Sequence, residues 1–235
     1  MATKIDLIRD LTKGLDGIFR EFSQSYKQIK NSRSVPGLYT NDKNNVQGNV
    51  SELYVGGMCH IMSAFWLVGQ IHGLGEKRTR FIEWVVPGGN SEAINLNAVG
   101  VLVAKTVMYK AKGGKAQSLG ILKDSNFDDT FFSNYGIRAK HESFDGFANI
   151  TQGVGRSRDR LYLIGYGGQS SGHACAAQSS TKGGHAYFDP NYGEAILTSR
   201  KAWEAWYKQY LVISGYDQKY LGHQRASGYK SIASN

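Results

Sequence analysis

The chain has 235 residues, 41% of them apolar, and a formal charge of +9, enough for one sizeable core. Two cysteines, Cys59 and Cys175, exclude a disulfide scaffold, and the absence of any run of about eighteen apolar residues excludes a membrane span. The positive charge favours an acidic partner, but the basic residues are scattered, with neither zinc-finger spacing nor the aromatic-basic pattern of an RNA-binding sheet, which argues against direct nucleic-acid binding.

Residues 4–30 read as one amphipathic helix, with Ile5, Ile8, Leu11, Leu15, Ile18, Phe19 and Phe22 at helical spacing. It lacks the continuous apolar run of a signal peptide. Residues 31–52 are polar, carry Pro36, Gly37 and Gly48, and read as a long connection bordering a cleft. In VGGMCHIMSAFWLVGQIHG, Gly56 and Gly57 permit a tight turn and the helical pattern starts at Cys59 and ends near Gly73. This places Cys59 in the first turn of a buried helix. A second helix is expected over 92–109, with Ser91 as N-cap. Residues 124–140 read as a short acidic helix followed by loop.

The pattern then changes. LYLIGYG at 161–167 reads as a strand, and His173–Gln178 and His185–Asp189 as two more, joined around SSTKGG, with 195–197 extending the sheet. Thr198 or Ser199 caps a last helix through Tyr210 that carries Trp203, Trp206, Tyr207 and Tyr210 on one side. From Gly215 the chain reads as a loosely packed polar tail. Helices first, then an antiparallel sheet and a closing helix, make an α+β fold.

A cysteine at a helix start is chemically distinctive, because free backbone N–H groups and the helix dipole favour thiolate and can also hold an oxyanion. The plainer account of Cys59 is a small buried hydrophobe. A nucleophile needs a base. His60 is its neighbour, and adjacent helical residues do not face each other. His72 lies at the far end of the same helix, too distant at a rise of about 1.5 Å per residue. His141 and His223 sit in polar stretches with no evident partner.

His173 begins one strand and Asp189 ends the next. If the hairpin is centred near Thr181, the two stand opposite each other on one face, where a carboxylate can orient an imidazole. The plainer account of Asp189 is the turn-forming sequence DPN. His185 is also a possible base, but about 13 Å of strand separates it from Asp189, so it reads as structural or cleft-lining. A zinc site from His173, Cys175, His185 and Asp189 has suitable residue types but lacks the usual spacing, and no metal or other cofactor is assigned.

Three segments together, GMCHIMSAFW at 57–66, GHACAA at 172–177 and HAYFDPNYGE at 185–194, resemble the YopT-type, peptidase C58-like clan of papain-like cysteine peptidases. The resemblance implies a helical part carrying the nucleophile packed against an antiparallel sheet. It implies Cys59 as nucleophile, His173 as base and later acid, and Asp189 as the orienting residue. It divides the chain into an N-terminal helix at 1–30, a catalytic domain at 31–214 and a tail at 215–235. Papain-like enzymes often place a glutamine shortly before the nucleophile for the oxyanion hole. Here that distance falls on Leu53, with Gln47 and Asn49 further upstream, so the N–H of Cys59 is the expected donor.

Relatives of this kind are often bacterial effectors or toxins, which implies secretion without a cleaved signal and a host protein as substrate, in the host cytosol or at its membrane. The basic charge suits an anionic membrane surface or an acidic protein. A glutamine deamidase with the same three residues, and a binding module without catalysis, are the alternatives.

Overall fold

A computed structural model describes residues 2–32, 50–111, 126–168 and 172–231. Gln47, Asn49 and the rest of residues 33–49 of the expected 31–52 connection lie outside the described residues. Nine α-helices and seven strands are found among the described residues: α1 Lys4–Gly14, β1 Ile18–Glu21, α2 Lys27–Ser32, α3 Val50–Ile71, α4 Phe81–Val85, α5 Leu96–Ala111, α6 Asn126–Ser133, β2 Ile137–Asp145, α7 Phe147–Arg156, β3 Arg160–Gly167, β4 Gly172–Ser179, β5 His185–Asp189, β6 Gly193–Leu197, α8 Arg200–Ser214, α9 Tyr216–Lys219 and β7 His223–Ser231. The strands form one antiparallel sheet in the order β1-β6-β5-β4-β3-β7-β2.

Strand periodicity sends alternate residues to opposite faces, and each face has its own core. On one, Leu161, Leu163, Ala176 and Phe188 pack under α3, α4 and α5 with Trp66, Leu102 and Phe81. Trp66 lies flat on Phe188, ring centroids 5.8 Å apart. On the other, Tyr162, Ile164, Tyr166, Cys175 and Tyr187 meet α1, α7 and α8, whose Trp203, Trp206, Tyr207 and Tyr210 form one buried wall. The fold is thus α+β, with a helical region against an open antiparallel sheet.

Several expectations need correction. Residues 4–30 are not one helix: α1 stops at Gly14, Asp16 takes a left-handed φ of 55°, and the chain enters β1 as an edge strand on β6. Phe19 therefore packs with the second core and Phe22 with the first, an alternation that helical spacing imitates. The second helix begins at Leu96, not near Glu92, because Asn95 caps it, its Oδ1 accepting from the N–H groups of Asn97 and Ala98. The segment after α6 is strand β2 rather than loop.

Residues from Gly215 onward are not a loose tail, since β7 lies inside the sheet between β3 and β2. Ala226 and Tyr229 are buried, and the Tyr229 ring packs tilted against Phe132 with centroids 4.5 Å apart. HQRASGYKS is polar on average, but its few apolar side chains are enough for a strand with hydrogen-bonded neighbours on both edges.

Candidate active site

Ser180, Thr181, Lys182, Gly183 and Gly184 join β4 to β5, and the register Ser179↔His185, Gln178↔Ala186 and Ala176↔Phe188 centres the hairpin on Lys182. Continued outward, it sets Asp189 across from Cys175 and His173 diagonal to it. This is a two-residue shift from a centre at Thr181. Because the side-chain period is two, the face is unchanged, and His173 Nε2 still meets Asp189 Oδ1 at 2.9 Å.

Asp189 keeps its turn role as well. Its Oδ1 accepts from the Asn191 N–H at 2.7 Å, its carbonyl accepts from the Tyr192 N–H at 3.1 Å, and Gly193, at φ 128°, starts β6 with β1 close against it. Oδ2 accepts from the Tyr210 hydroxyl of α8. Burial raises the Asp189 carboxyl, but the His173 charge and hydrogen bond, with Tyr210 and Asn191, outweigh it and hold the group below its ordinary value. An ionised carboxylate only accepts, so Nε2 of His173 carries a proton and Nδ1 is the nitrogen left for another partner.

Cys59 and Cys175 both interact with that imidazole, and Cys59 is the one made more acidic. Its thiol is raised by burial, yet ends below the ordinary value because of a hydrogen bond and charge from His173, the Ala174 backbone N–H and the charge of His60. His60 Nε2 lies 2.6 Å from Asp128 Oδ1 and stacks on Tyr109 at 4.3 Å. His173 itself is lowered by burial but raised more strongly by the charge and hydrogen bond of Asp189, ending well above 6.5. The faces and edges of Tyr216 and Tyr220, at 5.3 and 6.3 Å, surround its ring and suit an imidazolium. All three side chains are buried: Cys59 is 3% exposed, His173 7% and Asp189 0%.

Cys59 does not sit at a helix start. α3 begins at Val50, so Cys59 follows more than two turns of helix and its N–H belongs to the helical ladder rather than to the free first turn. The expectation of this N–H as an oxyanion donor is overturned with it. The polarisation of the sulfur comes from β4, through His173 and Ala174, and from His60. His60, adjacent to Cys59 in the helix, contributes a nearby charge and pairs with Asp128.

Histidine 185 is structural: its Nε2 lies 3.2 Å from the Val154 carbonyl and its ring stacks on Trp203. Cys175 is a different matter. With His173 and Asp189 it brings three ligand-type atoms within 4.8 Å of one another. Burial and the Asp189 charge push its thiol up to about 12, which holds it protonated, and His173 Nε2 and both Asp189 oxygens are already in hydrogen bonds. The geometry is that of a hydrogen-bonded cluster, and no metal is assigned to it.

Around the pair stand residues that the sequence alone did not mark. Asn191 receives a hydrogen bond at Oδ1 from Gln24 Nε2 at 2.6 Å and donates from Nδ2 to the Tyr216 hydroxyl at 2.8 Å. The turn sequence DPN signals Asn191; no spacing signals Gln24 or Tyr210, which come from segments far away in the chain.

Residues 126–230 match the sequence model of the peptidase C58 family, the Yersinia/Haemophilus virulence surface antigens. The matched stretch includes His173 and Asp189; Cys59 lies upstream. Over 57 residues the chain is 37% identical to the cysteine protease YopT of Yersinia enterocolitica, and 35% identical to a second YopT protease of that organism. Each alignment covers 24% of this chain and 17% of the relative, so the chain accounts for only a small part of those proteins' length. The crystal structure of the Pseudomonas avirulence protein AvrPphB superposes with a TM-score of 0.52 at 17% identity, covering 76% of this chain and 94% of that one. The chain has the papain-type α+β fold of YopT/peptidase C58-like proteins, and His173, Cys175 and Asp189 form a buried cluster in it, with Cys59 beside His173.

Proposed function

We propose that this chain is a thiol-dependent hydrolase, a cysteine peptidase in which Cys59 is the nucleophile, His173 the general base and acid, and Asp189 the orienting carboxylate. The observation that carries the reading is the opposite treatment of the two thiols. Both are buried beside His173, but Cys59 is pushed toward thiolate while Cys175 is held protonated. A thiolate is the reactive species, so Cys59 is the sulfur that fits.

In this mechanism the Cys59 thiolate attacks a peptide carbonyl carbon and the tetrahedral oxyanion collapses, breaking the C–N bond. His173 gives its Nδ1 proton to the departing amine, leaving a Cys59 thioester. The now neutral His173 takes a proton from water, the hydroxide adds to the thioester, and collapse releases the acid and regenerates the thiolate and imidazolium. Asp189 accepts from Nε2 throughout and fixes the ring's tautomer and aim.

The substrate is a protein, and the setting is that of a bacterial effector acting on a host protein. The names of the matched relatives, a cysteine protease of Yersinia and an avirulence protein of Pseudomonas, support this. No helix among the described residues is long and apolar enough to cross a membrane. The charge of +9 suits recruitment to an anionic membrane surface.

The test compares the chain with its Cys59→Ala variant on a host-cell proteome, reading new protein N-termini by mass spectrometry. New termini with the unaltered chain alone are expected. Identical termini from both would sink the peptidase reading, and conversion of glutamine to glutamate in an intact target would turn it into a deamidase.

A further inference from the structure

The aromatic wall of α8 does more than pack. We infer that Tyr210 is a positioning residue of the His173–Asp189 couple, its hydroxyl holding Asp189 Oδ2 so that the carboxylate stays ionised with Oδ1 aimed at His173 Nε2. The inference rests on the triad reading above.

Three observations carry it. Oδ1 is shared by two N–H donors, His173 and Asn191, whereas Oδ2 takes its hydrogen bond from Tyr210. Asp189 is fully buried, so without Tyr210 that oxygen would lose its donor in a site where an unmet charge is expensive. The Tyr210 ring is fixed on several sides, stacked on Trp206 at 4.7 Å and met edge-on by Tyr187 at 5.1 Å and Tyr216 at 6.0 Å. The hydroxyl therefore has one place to point. Tyr207, one turn earlier on the same wall, bonds instead to the Tyr166 hydroxyl at 2.7 Å and serves as a control of like burial.

The groups facing Asp189 make the consequence readable. Cys175 on β4 is pushed up to about 12, Tyr192 of the turn likewise to about 12, and Tyr207 and Tyr210 of α8 and Tyr216 of α9 are all raised. Through the acid and neutral range these stay uncharged, which leaves His173, Asp189 and Cys59 as the titrating set around the carboxylate; the His60–Asp128 pair that faces Cys59 is the same in every variant compared. The Tyr210 bond stabilises the carboxylate equally whether His173 is protonated or neutral, so its loss leaves the proton affinity of His173 unmoved to first order. It opposes only protonation of Asp189. Removing it therefore raises the pH at which acid destroys the thiolate–imidazolium pair.

The experiment measures the rate of Cys59 alkylation by iodoacetamide against pH on the full chain, read from the mass of the Cys59 peptide. The unaltered chain is compared with Tyr210→Phe, Tyr207→Phe and Asp189→Asn. Expected is an acid limb about one pH unit higher in Tyr210→Phe, with the rate at high pH unchanged, and no displacement in Tyr207→Phe. If Asp189→Asn displaces the limb and Tyr210→Phe does not, the role of Tyr210 is overturned while the triad stands. If Asp189→Asn leaves the limb in place, the triad reading fails and takes this inference with it. Should Tyr210→Phe not fold, proton NMR of the unaltered chain decides: a slowly exchanging Tyr210 hydroxyl proton is expected, and its rapid exchange with water would overturn the inference.

Discussion

Histidine 173 and Asp189 depend on each other, and their coupling has a direction in pH. The folded His173 titrates above its ordinary 6.5, so its contribution to stability is complete below that value and is lost as pH rises through the raised one. Folded Asp189 titrates below 3.8, so its contribution is complete above 3.8 and is lost as pH falls through the lowered value. Both are present between those two ordinary values. Urea unfolding of Asp189→Asn should therefore show its largest deficit against the unaltered chain near about pH 5, narrowing at alkaline pH. A deficit that is flat across pH would contradict the coupling. Turnover of a protein substrate, once one is in hand, should fall in the same variant by about 10²–10⁴-fold, by analogy with loss of the orienting carboxylate in serine triads. Cys175 behaves oppositely to Cys59. Cys175→Ala should cost about 1 kcal/mol of stability and leave the Cys59 alkylation profile in place, whereas loss of alkylation in that variant would make Cys175 the reactive thiol.

Helix α8 is the element that links core to chemistry. Ser199 caps it, its side chain accepting from the Ala202 N–H at 3.2 Å, and Gly215 ends it at φ 78° with its N–H on the Leu211 and Val212 carbonyls. Between these ends the wall from Trp203 to Tyr210 is set in register with β5. Ser199→Ala should cost about 1 kcal/mol. Gly215→Ala should cost a similar amount, because only glycine takes the left-handed conformation without strain. The Gly215 change sits between Tyr210 and Tyr216, so it should also slow Cys59 alkylation, as Ser199→Ala should not. Equal alkylation rates in the two variants would show that the wall does not transmit its position to the site. On the other face α3 has its own anchor, where Glu194 is buried and accepts from Trp66 Nε1 at 3.0 Å and Gln70 Nε2 at 3.2 Å, with Arg20 at 3.0 Å.

At the scale of the molecule, the first and the last described strands belong to one sheet. β1 forms one edge, and its following loop sends Gln24 to Asn191 beside His173. β7 fills the gap between β3 and β2. A chain ending at Gly222 would expose two strand edges and open the packing around Tyr229 and Ala226. It should lose the cooperative urea transition and the near-ultraviolet circular dichroism of its packed aromatics, and an unchanged transition midpoint would show that β7 is dispensable.

By itself the sequence determined the α+β class, strands β3 to β6, a helix cap at Thr198 or Ser199 and the parity that puts His173 and Asp189 on one face. These follow from short-range periodicity and turn chemistry, which act between residues close in the chain. It did not determine the extent of α3, the strands β1, β2 and β7, or the donor on Asp189 Oδ2. A polar strand such as β7 is stabilised by neighbours on both sides, and the pattern of HQRASGYKS carries no trace of them. Only the tertiary structure decided that Cys59 is polarised by β4 rather than by a helix end, and that Tyr210 of α8 reaches the carboxylate. Both depend on which elements the two sheet faces bring together across more than twenty and more than a hundred residues of chain.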